Sequence, residues 1–233
     1  MTDLESRTFV DATCGLTLPY RLFVPQPTRP PLGLLLFLHG AGERGSDNQA
    51  QLKNDALAWV QPALQDQHPT VVVFPQCPAD AMWVDTPWDE GRYSIEQTPI
   101  SKPMSAVLNL LASVQDEFAI DEHRLLVTGL SMGGYGAWDI VARNPTKFAG
   151  ALVLCGGGDP SQAPALRDLP LWVFHGEDDA AVPVRGSRLM IQALRAVGAK
   201  PRYSELPDVG HNVWIHAYRD PEVLSWLLSQ TRP

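Results

Sequence analysis

Residues 125–143 read LLVTGLSMGGYGAWDIVAR. An apolar run leads into Gly129-Leu130-Ser131-Met132-Gly133, and the segment that follows repeats its apolar positions at helical spacing. A strand that passes directly into a helix must turn sharply. Ser131 then sits in strained backbone geometry, and glycines two residues to either side let neighbouring chain come close. Such a turn holds the hydroxyl clear of the sheet edge, at a helix N-terminus where unpaired N–H groups and the helix dipole favour developing negative charge. With Gly134 and Gly136 extending the pattern, Ser131 is the candidate nucleophile.

Working outward, apolar runs at Leu34–Leu38, Val71–Phe74, Leu125–Thr128, Ala151–Leu154 and Leu171–Phe174 are near-continuously hydrophobic, as strands buried on both faces must be. Between them lie helical patterns at about 49–64, 103–118, 133–143 and 185–197, with a last one near 221–230 that opens on Pro221. Upstream, 7–13 and 16–24 flank Cys14-Gly15 and predict an antiparallel hairpin. The alternation predicts an α/β chain: a mixed, mostly parallel sheet with helices on both faces. Residues 25–31 (PQPTRPP) read as a stiff connector too short to link domains, so 1–233 is expected to be a single domain. The longest stretch without a pattern, 75–101, carries Trp83, Trp88 and Tyr93, and loops of this length are usually functional or mobile.

A serine hydroxyl is a poor nucleophile at neutral pH, so a base must take its proton and an acid must hold that base in the right tautomer. After the 171–174 strand the chain reads HGEDDAAVP, supplying carboxylates at a strand end; Asp179 is the candidate acid, with Asp178 in reserve. His211 follows a short strand at 203–206 and the turn Pro207-Asp208-Val209-Gly210, and is the candidate base. The separations of 48 and 32 residues leave room for a helix and a strand between successive members. An oxyanion needs N–H donors: Met132 supplies one by position, and the loop His39-Gly40-Ala41-Gly42-Glu43-Arg44 supplies the other, Ala41 first and Gly40 in reserve. Glu43 and Arg44 are expected to form a local ion pair. His39 and His175 each end a strand before glycine and are expected to brace loops, and His216 to be a surface residue.

The 233 residues carry 18 Lys and Arg against 26 Asp and Glu, a net charge of -8, with no basic run able to neutralise a row of phosphates. Nucleic acid and anionic membranes are therefore unexpected partners. The glycine-rich loop at 40–45 lacks the GK[ST] ending of a nucleotide cradle. Cys14, Cys77 and Cys155 show neither CxxC nor zinc-like spacing and read as reduced thiols. The opening MTDLESRTFV has no basic leader, and no run of 18 apolar residues occurs, which favours a cytoplasmic location.

The segments LHGAGERGSDN (38–48), PQCPADAMW (75–83), IDEHRLLVTGLSMGG (120–134), HGEDDAAVP (175–183) and GHNVW (210–214) together resemble the α/β-hydrolases, and more narrowly the serine esterases of the phospholipase/carboxylesterase and polyhydroxybutyrate-depolymerase-like group. The resemblance spans most of the chain in the family's order. It implies a sheet of about eight strands and carboxylesterase chemistry through Ser131, Asp179 and His211, on esters of short to medium acyl chain, without metal or organic cofactor. It supports Asp179 through the HGxxDxxVP pattern. Residues 156–170 are too few for the cap domain that many such hydrolases insert, so an open site is expected, with the 75–101 loop as one wall. Trp83, Trp88 and Trp214 are its candidate substrate contacts. The rival expectations are a feruloyl or polymer-ester hydrolase, a thioesterase or peptidase of the same fold, and a non-catalytic hydrolase-like binding protein.

Overall fold

The computed structural model describes residues 4–26 and 31–233. Eight strands, β1 (Leu4–Val10), β2 (Thr17–Phe23), β3 (Leu32–Leu38), β4 (Thr70–Pro75), β5 (Ile120–Leu130), β6 (Gly150–Leu154), β7 (Leu171–Gly176) and β8 (Arg202–Leu206), form one sheet in the order β1-β2-β4-β3-β5-β6-β7-β8. β2 runs antiparallel to β1 and to β4; every other pairing is parallel. The helices are α1 (Pro62–Gln67), α2 (Lys102–Glu117), α3 (Met132–Arg143), α4 (Arg185–Ala196), α5 (Trp214–Ala217) and α6 (Pro221–Leu228). Among the described residues no helix is long and apolar enough to cross a membrane.

The continuous apolar runs are explained by burial on both sides. In β3, Leu34, Leu36 and Leu38 enter a core shared with α2, α3 and α4, while Leu35 and Phe37 enter a second core with Trp59, Leu64 of α1 and Leu224 and Leu227 of α6. Successive strand side chains point to opposite faces, so a strand covered on both sides needs an apolar residue at every position. Pro221 takes the first turn of α6, and the Asp220 carboxylate caps it by accepting from the Glu222 N–H.

Some elements depart from their expected shape. The helix expected at 49–64 is instead two 3-10 turns, Ala50–Leu52 and Ala56–Val60, followed by the short α1. Asn48, Asn54 and Asp55 adopt left-handed φ of 53, 56 and 59°, which a continuous helix cannot contain. Asn48 takes this conformation while its side-chain amide donates to the carbonyls of Arg7 and Tyr20. In the hairpin, Asp11 ends pairing earlier than expected, because its carboxylate accepts from the Thr13 N–H and hydroxyl. The connector at 25–31 lies largely outside the described residues.

The 76–101 loop is pinned to its surroundings. The Tyr93 hydroxyl donates to Asp139 of α3 at 2.8 Å, Arg143 donates to the Thr98 carbonyl at 2.6 Å, and the Ile95 N–H donates to Asp159. Ser101 donates to the Trp83 carbonyl and accepts from the Met104 N–H, which ties the loop's end to the start of α2. The β6 to β7 connection contains one 3-10 turn, Pro160–Gln162, and no cap domain.

Candidate active site

β5 ends at Leu130 and α3 begins at Met132, so Ser131 alone makes the turn, at φ 55° and ψ −119°. Two close backbone approaches impose that geometry. A Cβ at Gly129 would stand 2.1 Å from the Gly133 carbonyl oxygen, and one at Gly133 would stand 1.9 Å from that of Leu38. The Ser131 N–H donates to the Leu154 carbonyl on β6 at 3.0 Å, and the side chain makes no capping bond to its own helix. The hydroxyl is thereby left available.

His211 comes from the loop after β8 and Asp179 from the loop after β7. His211 Nε2 lies 2.9 Å from Ser131 Oγ, and His211 Nδ1 lies 2.7 Å from Asp179 Oδ2. The other carboxylate oxygen of Asp179 accepts from the N–H groups of Ala181 and Val182, both at 2.9 Å. Burial opposes charge on Asp179, but hydrogen bonds from His175, His211 and Val182 outweigh it and hold the carboxyl below the usual carboxylate range. An ionised acceptor at this position keeps the proton of neutral His211 on Nδ1 and leaves Nε2 free to accept from Ser131. Asp178 is exposed, with its N–H bonded to the Val209 carbonyl. The Asp179 side chain has no exposure and that of His211 has 24%.

Gly40 adjoins the serine, since a Cβ there would lie 3.6 Å from Ser131 Cβ, and Ala41 follows it in the chain. The Gly40 carbonyl is held by His39 Nδ1 at 2.6 Å and by the Glu43 N–H at 3.3 Å. In a trans peptide the N–H of the next residue points opposite to that carbonyl, so the Ala41 N–H is turned away from His39. Among the described residues neither the Ala41 nor the Met132 N–H has an acceptor. Both are donors an oxyanion could engage. Arg44 does not pair with Glu43: it donates to the carbonyls of Ala41 and Ala81, while Glu43 is buried and its carboxyl is pushed up by desolvation. Close to backbone acceptors on two sides, the guanidinium finds more partners there than a single carboxylate offers.

His39 braces the loop as expected. Its Nε2 accepts from the Cys77 N–H at 3.0 Å, which places the proton on Nδ1. Burial holds it neutral and lowers its pKa to about 4. The unfolded chain binds a proton here near pH 6.5 and the folded chain does not, so stability is lost as the pH falls from 6.5 towards 4. Urea unfolding at the two pH values is expected to show a loss on the order of 3 kcal/mol from this group, reduced in a His39→Gln variant; an equal loss in that variant would refute the attribution.

The candidate substrate contacts separate. Trp83 is completely buried, and its indole N–H donates to the His39 carbonyl at 3.0 Å. The expectation that it meets substrate is therefore corrected: Trp83 packs beneath the 39–44 loop and has no surface to offer. Trp88 is half-buried against Tyr93, Tyr135 and Val182. Trp214 is half-buried, its ring edge-on to His211 with centroids 5.5 Å apart. His216 lies exposed on α5.

Two neighbours of the site were not evident from residue order. Cys155, at φ 40° on the turn after β6, brings its sulfur within 4.8 Å of ligand atoms of Asp179 and His211. Those carboxylate and imidazole atoms already bond each other, and burial pushes the thiol pKa up so that Cys155 stays neutral. The second neighbour is His175, whose contact with Asp179 becomes visible only when β7 and the following loop are assembled.

A nucleophile elbow, an imidazole and a buried carboxylate at the carboxyl ends of a parallel sheet define an α/β-hydrolase. The phospholipase/carboxylesterase family model matches residues 20–220, and the chain belongs to that family. It is a carboxylic ester hydrolase by class. The chain is 24% identical to mouse lysophospholipase-like protein 1 over 220 residues, 89% of this chain and 90% of that protein. It is 31% identical to a putative carboxymethylenebutenolidase of Escherichia coli K12 over 115 residues, 46% of this chain and 42% of that one. Among solved structures, a thermostable esterase superposes with a TM-score of 0.91 at 40% identity, covering 99% of this chain; the chain spans 64% of that esterase's length.

Proposed function

We propose that the chain hydrolyses carboxylic esters of short to medium acyl chain through an acyl-enzyme on Ser131. His211 Nε2 takes the hydroxyl proton as Ser131 Oγ attacks the ester carbonyl, and Asp179 steadies the imidazolium that forms. The N–H groups of Ala41 and Met132 donate to the carbonyl oxygen as it becomes an oxyanion. His211 returns the proton to the leaving alkoxide, and water repeats the sequence to release the acid. Trp88 and Trp214 line the approach, and the whole of 1–233 acts as a single catalytic domain. The observation that carries this reading is the run of contacts from Ser131 Oγ to His211 at 2.9 Å and from His211 to Asp179 at 2.7 Å.

The test is a fluorophosphonate probe together with p-nitrophenyl esters of graded acyl length. One adduct on Ser131, and turnover that is greatest from acetate to octanoate, is the expected result. Labelling without ester turnover, alongside cleavage of thioesters or peptides, would move the chemistry to those substrates. No adduct at all would leave a binding protein.

A further inference from the structure

We infer that His175 is a positioning residue for the ester hydrolysis proposed above: its Nε2–H holds the Asp179 carboxylate and the 179–182 loop so that Oδ2 faces His211. The inference rests on that proposed mechanism. His175 ends β7 with no exposed side-chain surface. Its Nε2 lies 3.0 Å from the Val182 carbonyl oxygen and 3.3 Å from Asp179 Oδ2. A carbonyl and an ionised carboxylate only accept, so Nε2 must carry a proton. On the other side of the ring, Nδ1 meets Ser187 Oγ of α4 at 2.7 Å, and a hydroxyl can donate to it. The neighbours thus select the Nε2–H tautomer without requiring a charged ring.

This placement gives Asp179 two imidazoles on one oxygen. Oδ2 contacts His211 at 2.7 Å and His175 at 3.3 Å, while Oδ1 accepts from the Ala181 and Val182 N–H groups. Three hydrogen bonds thus hold the carboxylate, two on Oδ1 and one on Oδ2, and the His175 N–H, bonded to the Val182 carbonyl, adds its positive end beside Oδ2. Rotation of the group would break bonds at both ends. Val182 is fixed twice, through its N–H on Asp179 and its carbonyl on His175, so the ring also sets the shape of the loop that carries the acid. Ser187 extends the brace to the start of α4. A carboxylate free to swing would still sit in the site but would present Oδ2 to His211 for only part of the time. That loss falls on the chemical step and leaves substrate binding alone.

The experiment compares His175→Gln, His175→Asn and His175→Phe with the wild type on one p-nitrophenyl ester, each variant first checked for folding by near-ultraviolet circular dichroism. A glutamine amide reaches the position of Nε2 and can donate to Asp179; asparagine is too short, and phenylalanine has no donor. The expected result is kcat for the Gln variant within about threefold of wild type, and for Asn and Phe at least about tenfold lower with KM changed less than about twofold. A purely structural role would lower the melting temperature of the folded variants without this split. The inference is overturned if a folded Asn or Phe variant keeps wild-type kcat, or if Gln falls as far as they do. Should neither Asn nor Phe fold, Gln alone decides, near-wild-type kcat supporting the inference and a tenfold loss overturning it. Absence of turnover in the wild type itself would instead refute the ester-hydrolase mechanism.

Discussion

Ser131→Ala is expected to lower kcat/KM for ester hydrolysis by a factor on the order of ten thousand or more while leaving the fold intact. In the proposed mechanism the hydroxyl oxygen bonds to the acyl carbon, and His211 Nε2 at 2.9 Å would have no proton to take in its absence. The fold should survive because Ser131 makes no side-chain cap, and its backbone bond to the Leu154 carbonyl does not depend on the hydroxyl. The same position gives a second result of opposite sign. At φ 55° and ψ −119° an L-residue is strained, at a cost on the order of 1–3 kcal/mol, whereas glycine enters this mirror region freely. Ser131→Gly is therefore expected to be inactive yet more stable than the wild type, its melting temperature higher by roughly 2–6 °C after the greater freedom of glycine in the unfolded chain is subtracted. Residual activity in Ser131→Ala above about one per cent would reject the nucleophile. A glycine variant less stable than wild type would reject the strain.

Gly133→Ala is expected to remove the folded enzyme altogether. Its methyl would stand 1.9 Å from the Leu38 carbonyl oxygen, 2.5 Å from the Leu38 carbonyl carbon and 2.7 Å from the His39 oxygen. These are backbone atoms at the end of β3, held by parallel pairing to β5 through Leu38 and Gly129, and they carry the 39–41 loop with them. Relief would require α3 to lift from the sheet or β3 to shift. Either disrupts a packed core at a cost of at least about 4 kcal/mol, a large share of an ordinary domain's stability. Gly42→Ala is the matched control, because a Cβ there meets nothing within 4 Å. Soluble yield and urea midpoints should separate the two; a Gly133→Ala variant with wild-type midpoint would show that α3 and β3 tolerate wider separation.

The parts of the fold legible in the sequence were those with a single physical explanation. LGLLLFL at 32–38 and TVVVFP at 70–75 have no polar residue to turn outward, apart from the terminal Thr70, so burial on both faces was the available reading. The GLSMG turn was equally legible, since strand, turn and helix are contiguous in the chain. Residues 49–64 were misleading for a local reason: their apolar spacing suits a helix, but left-handed Asn54 and Asp55 interrupt it and Pro62 restarts it. Trp83 shows the limit of residue type as a guide. A tryptophan in a long loop near the site is consistent with substrate contact or with packing, and its zero exposure is a property of the assembled loop.

What the amino-acid order determined by itself was the alternation of strands and helices, the elbow at Ser131 and a short set of later residues able to serve it, because each follows from periodicity or from a turn within a few positions. Only the tertiary structure put Asp179 rather than Asp178 against His211, set His175 beside the same carboxylate, and sent Arg44 to backbone carbonyls instead of Glu43. Those outcomes depend on ångström separations between residues that are adjacent in the chain yet point apart, or 32 and 80 positions distant yet in contact. The packing of parallel strands fixes such distances, and no local pattern encodes them.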